Sequence, residues 1–296
     1  MKLNLDALLV LDAIERKGSF AAAAASLNRV PSAVSYSVQK LEQDLGATLF
    51  RKEGRRAVLT HAGRLLVDEG RQLLVAAEKL ALDTQQAATG WEPRLRIARD
   101  HSIDDHLLNQ ALQRLYAERP DIAVSVSEEV LGGTWEALLE DRVDLAVGAV
   151  DEVPSRRGLR HEPWFTNPFV FCARADHPIC AEPRPLGRET IARYRLVVIN
   201  DSSRNQPAIS RGIAGGGATL VVSGMRQKLQ AQLAGLGVGT LPRYLVQPHL
   251  DSGEMCMLPL AEALPSAPCH LAWRSANRGR ALALVVEQLR SLAPAP

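Results

Sequence analysis

No stretch of the 296-residue chain approaches the ~18 consecutive apolar residues that a membrane-spanning helix needs. The start, Met1-Lys2-Leu3-Asn4-Leu5-Asp6, places an acid early and shows no apolar core with a cleavage site, so no secretory leader is expected. The expectation is a cytoplasmic protein without a membrane partner. Cysteine is scarce. Cys172, Cys180, Cys256 and Cys269 have no C-x-x-C spacing, and Cys269-His270 alone makes no zinc site. Reduced, partly buried thiols are expected, with a redox pair between Cys172 and Cys180 as the lesser reading. The seven histidines show no metal spacing, so neither metal nor cofactor is expected. Catalytic signatures are missing as well: there is no G-x-S-x-G, no H-E-x-x-H, and no G-x-G-x-x-G opening a helix after a strand. Gly235-Leu236-Gly237-Val238-Gly239 follows a helical pattern instead, and Gly215-Gly216-Gly217 lacks the Gly-Lys-Ser/Thr ending of a phosphate loop. An enzyme is therefore not expected. Net charge is only +2, so any basic binding surface must be local.

What is present changes character near residue 90. Before it the chain is rich in Ala and Leu, with Pro31 as its single proline; after it Pro and Val rise. Ala88-Thr89-Gly90-Trp91-Glu92-Pro93 holds two breakers and reads as a linker. Leu5, Leu8, Leu9, Ala13 and Ile14 have helical spacing over residues 3–17, and Gly18 after Arg16-Lys17 is a stop. Ser19 caps a second helix that runs to Leu27. Pro31 suits the first turn of a third helix, because it lacks an N–H that would be unpaired there. That helix ends at Gly46. Val34, Val38, Leu41 and Leu45 form its apolar face, while Ser32, Ser35, Tyr36 and Gln39 point outward, able to bond base edges or phosphates. Two short extended runs around Glu53-Gly54 predict a hairpin carrying Arg51, Lys52, Arg55 and Arg56. Residues 1–60 hold nine Lys/Arg against six Asp/Glu, and almost half of those cations lie in this hairpin. Positive charge is thus placed where a phosphate backbone would pass.

Gly18-Ser19-Phe20, five alanines, Ser26-Leu27, then Ala33-Val34-Ser35, then Lys40-Leu41-Glu42-Gln43-Asp44-Leu45-Gly46-Ala47-Thr48-Leu49-Phe50-Arg51 and Leu59-Thr60-His61-Ala62-Gly63 together resemble the LysR-type transcriptional regulators. The resemblance implies a winged helix-turn-helix with its third helix in the major groove of double-stranded promoter DNA. Family members often carry Gln and Arg as base readers in that helix; here Pro31 and Tyr36 stand instead. Pro31-Ser32-Ala33-Val34-Ser35-Tyr36, with Gly90-Trp91-Glu92-Pro93 and Leu131-Gly132-Gly133-Thr134-Trp135, looks like one branch of the family.

Thr60 is placed to cap a long helix to about Ala88. Leu66, Gly70, Leu73, Ala77, Leu80 and Thr84 follow a heptad-like spacing. Two readings are open: a seam between two copies, for which Leu66, Leu73, Ala77 and Leu80 are named, or packing on its own domain. The seam is favoured, because such proteins read two half-sites related by a two-fold axis. The resemblance implies paired helices and a homo-oligomer, dimer or tetramer.

The remainder alternates strands and helices as βαβαβ, a second α/β unit, and a return strand and helix, which predicts parallel sheets covered by helices. The expected fold is α/β overall. A DNA-binding domain (1–60) and a linker helix (61–91) lead into an effector domain (92–296), with lobe I at 92–161 and 268–296 and lobe II at 162–267. Crossings are expected near His161–Phe165 and Leu264–Ala267. The resemblance implies a hinged cleft like that of periplasmic solute-binding proteins. Ligands of such sheets lie at the carboxyl ends of strands. Those ends are Arg99-Asp100-His101-Ser102, Gly132-Gly133-Thr134, Gly148-Ala149 and Asn200-Asp201-Ser202. Ser102 and Thr134 are each expected to begin a helix and to contact the effector, or to act only as plain caps. Arg99 and His101 suit a carboxylate; Asp100 and Asp201 suit a cation, so the ligand's sign stays open. Asn205–Gly217 reads as a loop near the cleft. The expected function is a sequence-specific transcriptional regulator whose small-molecule effector alters lobe closure, promoter bend and RNA polymerase contacts. A ligand-independent architectural DNA-binding protein and an enzyme with a DNA-binding appendage are the alternatives.

Overall fold

The computed structural model describes residues 3–53, 56–150, 158–205, 217–264, 266 and 268–294. It divides into two compact units, Met1–Ala88 and Thr89–Pro296. Among the described residues no helix is long and apolar enough to cross a membrane.

In the first unit, helix α1 (Leu5–Lys17) opens where the Asn4 side chain accepts from the Ala7 amide at 2.7 Å, and it closes at left-handed Gly18. Helix α2 (Phe20–Ser26) is capped by Ser19, whose hydroxyl accepts from the Ala22 amide. Helix α3 (Pro31–Leu45) begins on its proline and stops at left-handed Gly46. Val34, Val38 and Leu41 are buried as expected, but Leu45 is exposed. On α1, Leu5 and Leu9 turn outward and Val10 and Leu11 take the core positions, because the neighbouring helices select which arc is covered. Strands β1 (Phe50–Glu53) and β2 (Arg56–Leu59) form an antiparallel hairpin with Phe50 opposite Leu59. The Glu42 carboxylate of α3 accepts from the Leu49 and Phe50 amides at 2.6 and 3.2 Å and so fixes where the hairpin starts.

The long helix α4 (His61–Thr89) is capped by Thr60, whose hydroxyl accepts from the Gly63 amide at 3.0 Å and donates to the Thr48 carbonyl. A Cβ at Gly63 would overlap the Leu49 carbonyl, so only glycine allows this approach. Gly70 likewise leaves room for Leu8, and Arg71 pairs with Asp12 and Glu15 of α1. The first turns of α4 are thereby part of the winged core.

In the second unit, lobe I contains β3 (Arg94–Asp100), α5 (Asp105–Glu118), β4 (Ala123–Glu129), α6 (Gly132–Leu139), β5 (Leu145–Ala149) and β6 (Leu159–Phe165). Lobe II contains β7 (Phe169–Arg174), a 3-10 turn (Pro178–Ala181), α7 (Arg188–Ala192), β8 (Leu196–Ile199), β9 (Thr219–Val222), α8 (Met225–Leu233), β10 (Gly239–Pro242), α9 (Arg243–Asp251) and β11 (Met255–Met257). The chain returns to lobe I as β12 (Cys269–Arg274) and α10 (Arg280–Ser291). The lobe I sheet runs β4-β3-β5-β12-β6, with β3, β4 and β5 parallel and β12 antiparallel to both its neighbours. In lobe II the strands order as β10-β7-β11 and β8-β9, linked by a parallel bridge from Leu196 to Val238.

The structure corrects three expectations here. His161–Phe165 is not a crossing but most of β6, an edge strand whose Pro163 and polar residues an edge tolerates. The chain crosses at Thr166–Pro168. The second expected crossing and the loop after Asn205 lie partly outside the described residues. Trp91 and Glu92 are not free linker. Trp91 packs on the lobe I core, and buried Glu92 accepts from the Ala281 and Leu282 amides that open α10. Cys172 and Cys180 are not a pair. The Cys172 thiol donates to Gln232 and to the Gly239 carbonyl, whereas Cys180 lies 2.6 Å from Cys256. Burial, joined at Cys180 by the contact with Cys256, pushes the Cys172 and Cys180 thiols up to about 12, which leaves them protonated at neutral pH.

Candidate functional site

One candidate surface is the outward face of the winged unit. Ser32, Tyr36 and Gln39 are exposed on α3, with Tyr36 64% exposed, and Ser35 is half-buried. All four lie on one helix, opposite the buried Val34, Val38 and Leu41. Arg51 and Lys52 stand exposed on β1; Arg51 pairs with Glu53 at 2.7 Å. Arg56 belongs to β2, and Arg55 lies outside the described residues. A polar helix face and exposed cations suit base edges and phosphates respectively.

The second is a cavity of about 150 Å³ between the lobes. Lobe I contributes Asp100, His101 and Ser102 at the carboxyl end of β3, with Leu131 and Val150. Lobe II contributes Phe169 and Phe171 of β7, Leu196–Ile199 of β8, Met225 and Lys228 of α8, and Gly239 and Thr240 of β10. Asp100 is buried and internally satisfied. It accepts from the Ser102 amide and hydroxyl at 2.9 and 2.6 Å and from the Leu131 amide at 3.0 Å. The His101 ring is buried, its Nδ1 has no partner among the described residues, and burial lowers its pKa, so it is neutral at pH 7. Lys228 is 6% exposed, and burial pushes its ammonium down to about 8.

Of the twelve strand-end residues named above, Asp100, His101 and Ser102 line this cavity. Arg99 instead binds Glu128 and Asp105 and two backbone carbonyls. Ser102 does not begin a helix: Asp104 caps α5. Thr134 sits in the first turn of α6, wholly buried, behind Gly132. Asn200 is exposed.

Asp201 and Ser202 take part in an inter-lobe seam and are not among the residues lining this cavity. The Gly133 amide donates to Asp201 at 3.2 Å, the Val130 amide donates to the Ser202 hydroxyl at 2.9 Å, and that hydroxyl donates to Glu129. Buried Glu136 accepts from the Arg204 and Asn205 amides. A Cβ at Gly133 would overlap Ser202, so glycine lets the lobes touch here.

Sequence reasoning missed Lys228. The signal was available: Met225, Lys228, Leu229 and Gln232 share one face of α8 at helical spacing and are buried together.

Residues 5–64 match the bacterial regulatory helix-turn-helix family of LysR type, and residues 88–294 match the LysR substrate binding domain. The chain belongs to the LysR family of DNA-binding transcriptional regulators. It is 36% identical over 290 residues to the probable HTH-type transcriptional regulator YhaJ of Escherichia coli, covering 98% of this chain and 97% of that one. It is 32% identical over 284 residues to the E. coli regulator PunR, covering 95% and 91%. Full-length CbnR, solved with its target DNA, has the same fold with a TM-score of 0.64 at 18% identity, over 98% of this chain and 99% of that one. As a LysR-type regulator with an effector-binding domain, the chain has a non-enzymatic role.

Proposed function

We propose that this LysR-type regulator reads a promoter as a homodimer or tetramer and is switched by a small molecule held between its lobes. Ser32, Ser35, Tyr36 and Gln39 read base edges, in a family branch where Tyr36 replaces the usual arginine. Arg51, Lys52, Arg55 and Arg56 hold the phosphate backbone, as a wing beside the groove would. The exposed apolar face of α4 pairs with a second copy. Leu65, Leu73 and Leu80 are 50–68% exposed there, whereas Leu66 packs partly on its own core and Ala77 is half-buried. The boundaries 1–60, 61–91 and 92–296 describe the working parts. The regulator acts in the cytoplasm, and its output passes to RNA polymerase through the DNA bend.

The observation that carries the switch is the cavity with one wall from each lobe, beside a hydrogen-bonded seam. A ligand touching both walls binds one degree of closure better than another, which is what a switch requires. Footprinting on the promoter adjacent to the gene tests the whole. A specific footprint altered by a small molecule is expected, and Ser102→Trp, which fills the cavity, should abolish that alteration while the footprint stays. No specific footprint would refute the regulator reading. A normal response of Ser102→Trp would refute the placement of the ligand.

A further inference from the structure

Resting on the inter-lobe cavity as the effector site, we propose that its ligand is a small organic monoanion, a carboxylate on a compact apolar body, whose charge is met by Lys228. Four observations carry this.

Lys228 is a cation with only 6% of its surface exposed, and no hydrogen bond or ion pair holds it among the described residues. Burying an unpaired ammonium is costly, so buried charges are normally paired. Among the described titratable groups, the Cys172 thiol and the His101 ring act on Lys228, and neither is an anion at neutral pH. Among the described residues no carboxylate pairs with it.

The one carboxylate that the described residues bring to the cavity wall is not available to a ligand. Three donors, from Ser102 and Leu131, already occupy both oxygens of Asp100. Asp100 instead limits the ligand to one negative charge, since a second would meet it in a low-dielectric space.

His101 lines the same cavity, and its buried Nδ1 has no partner among the described residues. In the tautomer that carries its proton there, the neutral ring donates to a carboxylate oxygen. Arg99, Glu128 and Asp105, which also surround this corner, are bound to one another.

Apart from Thr240, the remaining wall is apolar, with Phe169, Phe171, Val197, Ile199 and Met225 its larger side chains. A cavity near 150 Å³ holds a body about the size of benzene. Gly239 sets that size on one side, because a Cβ there would come within 3.3 Å of the Lys228 Cε.

The test uses the full chain and two isosteric triplets: benzoate, benzamide and benzylamine; and 3-methylbutanoate with its amide and amine. Thermal shift and titration calorimetry read binding. Each acid should bind about ten- to a hundredfold more tightly than its amide, the range for a hydrogen bond to a charged group, and the amines should not bind. Lys228→Met should erase the acid's advantage while leaving amide binding. It should also raise the melting temperature without ligand, which shows that the variant folds. Lys228→Arg should retain a preference for the acids. Phthalate, with two charges, should bind less well than benzoate.

Amide or amine binding that equals the acid's, or full benzoate affinity in Lys228→Met, would overturn the proposal. If such neutral or cationic binding is also blocked by Ser102→Trp, the cavity reading survives and only the anion assignment falls. If no probe of any charge binds, both fall.

Discussion

The wing and the cavity each present cations, in opposite surroundings. Arg51 stands 64% exposed and shares its charge with Glu53, so keeping it charged costs little. Lys228 is buried without a partner among the described residues, and keeping it charged opposes folding. The difference separates two kinds of recognition. Exposed cations attract any phosphate backbone and lose affinity as salt rises. A buried cation is screened little, rejects whatever cannot neutralise it, and is retained at a cost in stability. One end of the chain is thus built for strength of attachment and the other for choice of ligand.

Replacing Arg51, Lys52, Arg55 and Arg56 by alanine should break the comparison on the DNA side with the largest effect. The slope of log affinity against log salt should flatten by up to about 3.6, at about 0.9 for each phosphate left without its cation. Effector-induced thermal shifts should not change. Salt-dependent gel shifts measure the first and thermal melts the second.

The cavity side is sharpened by pH. Lys228 titrates near 8 when folded and near 10.5 as an ordinary lysine. Below pH 8 both states are protonated and the burial penalty is complete. Between about 8 and 10.5 the unfolded chain binds more protons, so stability should rise with pH, by about 3 kcal/mol from this group. Denaturant melts across that window should show a rise that Lys228→Met lacks.

Gly63→Ala should cost about 1–3 kcal/mol, because its Cβ overlaps the Leu49 carbonyl and the helix cannot retreat without losing the Thr60 cap. Denaturant unfolding of the N-terminal transition measures it. The smallest effect is expected from Tyr36→Phe. It should shift base preference at one operator position, by about 1 kcal/mol, and leave the salt slope unchanged. Selection from randomised operators would show the shift.

How much was legible varies with the range of the forces involved. The three N-terminal helices follow from local chemistry: Ser19, Pro31, Gly18 and Gly46 mark their ends, and each does so through its own backbone or side chain. Strands β8 and β9 are also plain, being short apolar runs between breakers. Helix α9 was hidden by Pro248 inside it, and β11 by having only three residues. Strand β6 was hidden because an edge strand has too little burial to show alternation. Glu92, read as linker, caps a helix that begins 188 residues later at Arg280, a pairing no local pattern encodes.

The sequence by itself determined the family, the winged helix-turn-helix and the α/β character of the second unit, because caps, periodicity and motif order are local. Tertiary structure decided which cations act where. Arg51 and Lys52 needed no more than a hairpin to be exposed. Lys228 became the charge of the cavity only when α8 turned one face inward and β7, β8 and β10 closed around it. Burial is the reason: the same lysine on a solvated face would be one more surface charge.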